Sequence, residues 1–420
     1  MVKQANEPAP SPADPAPSRV STFSSLRYGD FRTLWFAQIG RSAAMWMEQI
    51  ARPVLILQLT DSELLLGLVV AARMIPQLIF GLMAGVIADR FDRKRILLSA
   101  QVFTVSFHLI TAALVLTDVV ETWQVFVLAF GTGTAMVFTQ TARQSLIPRL
   151  VPEEQVLNAI SLNMAALNIT RIAGPGLAGF ILISGDVGPV YLIAGALGVG
   201  VLLALSQVRV EHTPRADTDE ASWLDDLRSG LRFARAHPEV LAVLGPPLIM
   251  FMFGLPYISV FVPLFAKDVL DLGDAGVGAL MAVTGAGAIV GSLILASQTQ
   301  LRHRGLLLLG LMLVFGVLLA IFSRSTFLPV SIVLLMFIAS MSTSFMALTN
   351  SLLLELSPPD MHGRIVSLMS IDRGLVPVGA IAAGALAGSL GPQDALLIIA
   401  SICVGLTLLL ALVARPLRRL

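Results

Sequence analysis

Apolar residues in this chain run continuously, without the alternation of a strand, and each run is long enough to cross a bilayer. Six runs lie near 33–58, 64–88, 96–117, 122–141, 159–184 and 188–207. After a polar gap, six more follow near 240–265, 274–298, 305–323, 327–353, 364–389 and 393–414. About 20 apolar residues make one transmembrane helix, whereas a tilted barrel strand needs only about 10. The pattern predicts an all-α membrane protein with twelve transmembrane helices, spans 1 to 12. Residues 31–208 and 239–414 then form two six-helix bundles, with tails at 1–30 and 415–420.

Composition agrees. The chain is 56% hydrophobic and 13% charged, against about 25% charged in a soluble domain. So little polar surface cannot cover a soluble body. The first 25 residues are rich in Pro and Ala and hold no apolar run, so they are expected to be a disordered tail and not a signal peptide. Cys403 is the single cysteine, which excludes an internal disulfide and a multi-cysteine metal site. A net charge of +1 gives no reason to expect a nucleic-acid partner.

The distribution of charge is more informative than its sum. Twelve spans put both termini on one side. That side collects 21 lysines and arginines, from Lys3 through Arg90–Arg95 and Arg228–Arg235 to Arg419, and the other side only Lys267 and Arg324. The positive-inside bias therefore predicts that both termini are cytoplasmic. Within the gap at 209–238, Glu211–Glu220 has a linker composition. Ser222 with Asp225 can cap a following amphipathic helix, whose Trp223, Leu224, Leu227, Leu231 and Ala234 share a face. It is either a membrane-surface tie between the halves or a passive linker.

The halves look duplicated. Gly85 and Gly291 end matching spans at an offset of 206, and Ser161 and Ser367 open matching spans at the same offset. At that offset Gln144–Leu162 aligns with Asn350–Leu368 without a gap, six of nineteen pairs being identical. Two parallel six-helix repeats with a substrate between them are a transporter plan.

Between spans 2 and 3 the chain reads Gly85-Val-Ile-Ala-Asp-Arg-Phe-Asp-Arg-Lys-Arg95. This loop resembles the major facilitator superfamily pattern Gly-x-Leu-Ala-Asp-Arg-x-Gly-Arg-Lys. Gly85, Ala88, Asp89, Arg90, Arg93 and Lys94 match; Ile87 replaces the leucine, and Asp92 replaces the second glycine, so the turn should differ in backbone detail. Phe31–Trp35, Met45–Met47, Arg143–Pro148 and Arg171–Pro175 are similar to the branch holding enterobactin exporters and macrolide-efflux proteins. Gly174, Pro175 and Gly179 fit the Gly-Pro-x-x-Gly-Gly pattern of antiporters in span 5, with Ala178 in place of one glycine. The resemblance implies a bacterial plasma-membrane protein exporting small amphiphilic compounds against a proton gradient. It also implies that Asp89, with Arg90 and Arg93, meets the start of span 11 as a cytoplasmic latch.

Charges at mid-bilayer cost about 2.5–3.5 kcal/mol each on insertion scales, so the few present are candidate site residues. They are Arg41, Glu48 and Arg52 in span 1, Arg73 in span 2, Arg171 in span 5, and Asp372 with Arg373 in span 11. Arg41, Met45, Glu48 and Arg52 are spaced by four, three and four, which places them on one helical face. That face either lines the substrate path with Glu48 as proton acceptor, or holds an internal ion pair with Arg52. Asp372 carries the same choice between coupling and structure. Five arginines against two acids favour an anionic, zwitterionic or oxygen-rich substrate. Packing is the expected role of Gly174, Pro175 and Gly179. Met250, Phe251, Met252, Phe253 and the Ser340–Ser344 run are expected mainly to pack. His108, in span 3, is expected to be a lipid-side or interhelical residue.

The sequence has neither a phosphate-cradling Gly-x-x-x-x-Gly-Lys-Ser/Thr loop nor a His-Glu-x-x-His motif. The expectation is a monomeric secondary transporter with no cofactor and no metal, moving a drug-like or siderophore-like molecule, by proton antiport or, with the same fold, uptake by symport. A membrane enzyme or lipid-handling scaffold is the alternative of a different class, and it would need an interfacial polar constellation that the sequence does not display.

Overall fold

Inside hydrocarbon every backbone N–H and C=O needs a partner within the protein, which selects helices for runs of this length. The computed structural model describes residues 22–144, 150–208, 223–298, 303–358, 361–362, 364–365, 368, 372 and 374–420. Ten described helices are long and apolar enough to cross a membrane. Span 1, Gly29–Thr60, and the shorter Val376–Leu390 of span 11 bring the number to twelve.

Local chemistry sets the turns. Span 1 stops at Asp61, in the left-handed region with φ 47°, whose N–H returns to Leu57 O at 3.0 Å. Two residues later span 2, Glu63–Arg90, starts from Ser62, whose Oγ accepts from Leu65 N at 3.3 Å. Span 3, Arg93–Leu116, is capped by Asp92, whose Oδ1 accepts from Lys94 N at 2.7 Å and from Arg95 N at 3.3 Å. Asp92 has φ −59°, a conformation open to any residue. The aspartate in place of the family glycine is thus an N-cap, a role in which it excels.

Spans 4 (Thr122–Gln144), 5 (Val156–Ile181) and 6 (Gly188–Gln207) complete the first bundle. Span 1 packs between spans 5 and 6, span 2 on span 4, and span 3 on spans 4 and 6. In the second bundle span 8 (Gly273–Ser297) packs on span 10 (Leu328–Glu355). Span 9 (Arg304–Phe322) packs on spans 10 and 12, the latter Pro392–Val413.

Span 7 departs from a plain helix. An α-helical piece, Pro238–Ile249, gives way to π-helical turns at Met250–Gly254, Tyr257–Phe261 and Phe265–Val269. Pro246, Pro247, Pro256 and Pro263 each remove a backbone donor there. The wider turns keep i→i+5 pairing, Leu255 N donating to Met250 O and Leu270 N to Phe265 O, both at 2.8 Å.

The bundles touch through span 2 against span 11 and span 5 against span 8. Adding six to the first pair gives the second, so a two-fold operation exchanges them. Glycines permit both contacts: a Cβ on Gly67 would strike the backbone of Ala380 and Gly384, and one on Gly278 would strike that of Gly179 and Pro175. These positions lie near the ends of the spans opposite the termini, called the distal face below. On the terminal face, helix Trp223–Ala236 precedes span 7, and its Gly230 lies against the carbonyl of Arg364. Ser222 and the side chains of 223–227 lie outside the described residues.

Candidate functional site: a polar chamber in the first bundle

The spacing of Arg41, Glu48 and Arg52 turns one face of span 1 toward spans 2, 3, 4 and 6. Glu48 and Arg52 are 3% and 5% exposed. Arg52 Nη2 donates to Glu48 Oε1 and, at 2.9 Å, to Thr132 Oγ1 of span 4. The second carboxylate oxygen, Glu48 Oε2, faces two further groups: Arg73 Nη2 at 3.7 Å and His108 Nε2 at 3.5 Å. Arg73 reaches this point because Gly133 of span 4 lets the two backbones close up; a Cβ there would meet the Arg73 carbonyl and, at 3.2 Å, Pro76. Tyr191 of span 6 is buried with its ring 6.3 Å from that of His108.

Glu48, Arg73, His108 and Thr132 line a cavity of about 40 Å³, together with Arg41, Gln101, Thr104, Met136 and Thr139. It has room for about three water-sized bodies of about 10–15 Å³ each. Every described lining residue belongs to the first bundle. The charged face of span 1 is therefore directed into its own bundle, around a chamber far smaller than a drug-like molecule. His108 is interhelical, not lipid-side: it is 2% exposed and shares the carboxylate of Glu48.

The other sequence-selected residues lie elsewhere. Arg171 sits above the Trp46 ring, its Cζ 5.7 Å from the centroid, and its carbonyl is met by Gly285 of span 8, so it stands where the bundles adjoin. Gly174 packs on the Cβ of Trp46, while Pro175 and Gly179 face Gly278. Asp372 is buried, 5% exposed; Arg373 lies outside the described residues. Gly85, Asp89 and Arg90 form the last turns of span 2, and their side chains are outside those described. Arg93 and Lys94 open span 3, and Lys94 Nζ donates to Ser206 O at the end of span 6, 2.9 Å away. Met250 and Phe251 are buried, and Ser344 Oγ donates to Gly291 O at 3.0 Å, joining spans 10 and 8.

A second polar group ties the bundles at the distal face. Gln58 Nε2 donates to Asp274 Oδ2 at 2.7 Å and to Gly185 O at 3.1 Å, and Lys267 Nζ lies 3.3 Å from Asp274 Oδ1.

The chain matches the transmembrane secretion effector family over residues 20–420. It is 23% identical to macrolide efflux protein A of Streptococcus pyogenes over 372 residues, 86% of this chain and 90% of that protein. It is 25% identical to the staphyloferrin A transporter of Staphylococcus aureus, covering 80% of this chain and 84% of that protein. It is 27% identical to the enterobactin exporter EntS of Shigella boydii, covering 91% and 92%. Among solved structures, a point mutant of the nucleoside transporter NupG superposes with a TM-score of 0.76 at 11% identity over 91% of this chain and 99% of that one. A bacterial homolog of the human lysosomal transporter Spinster, inward-facing and unoccupied, gives 0.68 at 12% identity, covering 93% and 95%. The chain belongs to the transmembrane secretion effector family and is a multi-pass transporter of the major facilitator superfamily.

Proposed function

We propose that this protein exports a small, oxygen-rich amphiphilic molecule by alternating access, driven by proton antiport, with both termini in the cytoplasm. The observation that carries the reading is the position of Glu48: one carboxylate shared by Arg52, Arg73 and His108 inside a water-sized chamber. A proton on Glu48 cancels the charge that all three partners share, so it changes the packing of spans 1, 2 and 3 at once. A chamber of about 40 Å³ admits protons and water but not the cargo, which separates coupling from substrate binding. Arg171, stacked on Trp46 where the bundles adjoin, is the cation available to acceptor oxygens of the cargo. Asp372, buried in the opposite bundle, is the second coupling carboxylate. The relatives named for macrolide efflux, staphyloferrin A transport and enterobactin export support this cargo class.

Uptake of candidate macrolides and siderophores into inverted vesicles, with and without an uncoupler, tests the reading. Export appears as uncoupler-sensitive accumulation. Glu48→Gln keeps an amide oxygen to accept from Arg52, so it preserves the membrane level while removing the titratable proton. It and Asp372→Asn abolish proton-coupled flux. Wild-type pH dependence in both variants excludes the carboxylate mechanism.

Asp89, Arg90 and Arg93 act as the cytoplasmic latch in this scheme. Asp89→Asn moves the protein toward the inward-open form, read as faster labelling of a cysteine introduced beside Arg364.

A further inference from the structure

Arg41 and Arg73 line the chamber and Arg52 pairs with Glu48 at its edge, so among the described residues three guanidiniums stand against one carboxylate, a formal charge of +2 counting His108 as neutral. Unbalanced charge in a low-dielectric interior is strongly unfavourable. Arg73 is the least provided for. Its side chain is 9% exposed, its Nη2 lies 3.7 Å from both Glu48 Oε2 and Met136 Sδ, and its Nε has no hydrogen-bond partner. The polar walls do not relieve it. The Thr104 and Thr139 hydroxyls donate to Ala100 O at 2.9 Å and Ala135 O at 2.8 Å, and the Gln101 amide donates to Gly198 O at 3.1 Å. Among the described residues Arg41 reaches only Gln38 Oε1, at 3.3 and 3.4 Å. The chamber therefore offers positive charge and an unspent guanidinium N–H to a space of about 40 Å³.

The geometry points to a halide site: the chamber binds a monovalent, chloride-sized anion beside Arg73 and Arg41. Size and charge both select the ligand. A single halide occupies one or two of the roughly three water-sized positions, whereas the amphiphilic cargo does not enter. The bound anion supplies countercharge to Arg73 and Arg41 without competing with Glu48 for Arg52. The site is independent of the direction in which cargo moves.

Thermal unfolding of the purified full-length protein in detergent, at constant ionic strength in chloride, bromide or gluconate, tests the site. Chloride and bromide give a saturable rise in Tm of about 2 °C or more, and gluconate gives none. Arg73→Gln weakens the chloride response at least about tenfold. Crystals grown in bromide show an anomalous peak inside the chamber. A Tm indifferent to the anion, a response unchanged in Arg73→Gln, or bromide found only on the outer surface overturns the assignment. If Arg73→Gln does not fold, the bromide position in the unaltered protein decides the matter.

Discussion

Arg52 serves two acceptors with one guanidinium, Glu48 on its own helix and Thr132 on span 4. Arg52→Met removes a buried donor and leaves Glu48 without its direct partner, an effect of about 3–5 kcal/mol. Thr132→Val removes one acceptor from that charged donor and costs about 1.5–3 kcal/mol. Thermal unfolding of the two variants should reproduce that order; equal effects would mean that the ion pair contributes no more than the hydroxyl. The pairing of Glu48 with Arg52 was legible in the sequence, because residues four apart in a helix meet. That Arg73, His108, Thr132 and Tyr191 gather around this pair was not. They come from spans 2, 3, 4 and 6, and the rotation of one helix against another is set by packing, which no single helix's periodicity encodes. For the same reason the charged face of span 1 could be recognised as a face but not as one directed into its own bundle.

At the scale of elements, the glycine contacts decide how closely spans can cross. Gly278→Leu has no room against the backbone of Gly179 and the Pro175 carbonyl, the latter 2.7 Å from the added Cβ. Its transport rate should fall below about a tenth of wild type, a loss of about 1.4 kcal/mol or more in the closed arrangement. Gly200, with nothing within 4 Å of an added Cβ, tolerates alanine and gains about 0.5–1 kcal/mol of helix stability. Equal transport in the two variants would remove the close approach from the mechanism. Gly179 was recognisable from its motif, but Gly278 and the Gly67–Gly384 pair were not, since crossing partners are distant in sequence. The apolar run near 240–265 predicts one helix for span 7, although it holds four prolines. Their spacing did not reveal that π turns would absorb them.

At the scale of the molecule, the described contacts between bundles include the distal tie of Gln58, Asp274 and Lys267. A partly exposed tie of this kind contributes about 1 kcal/mol, enough to move a two-state population about fivefold. In the double variant Gln58→Ala, Asp274→Asn, a cysteine placed at Gly388 should react about fivefold faster with a polar thiol reagent. Cys403 is buried and stays silent in that assay. Unchanged labelling would show that the glycine seams alone hold the distal face shut. The two-bundle plan and the membrane topology were legible because twelve long apolar runs leave few other arrangements. The seam was not, because it depends on which face each span turns to its neighbour.

Span 7 joins these scales. Each π turn stores one residue more than an α turn needs. Relaxing one to α geometry winds everything beyond it by about 100° and extends the helix by about 1.5 Å. Lys267 lies in the last π turn, Phe265–Val269, and holds Asp274. Such a rewinding would swing the ammonium away from its carboxylate. Span 7 would then act as a screw thread, in which exchanging the i→i+5 bond from Leu270 N to Phe265 O for an i→i+4 bond frees the distal face by a fraction of a turn.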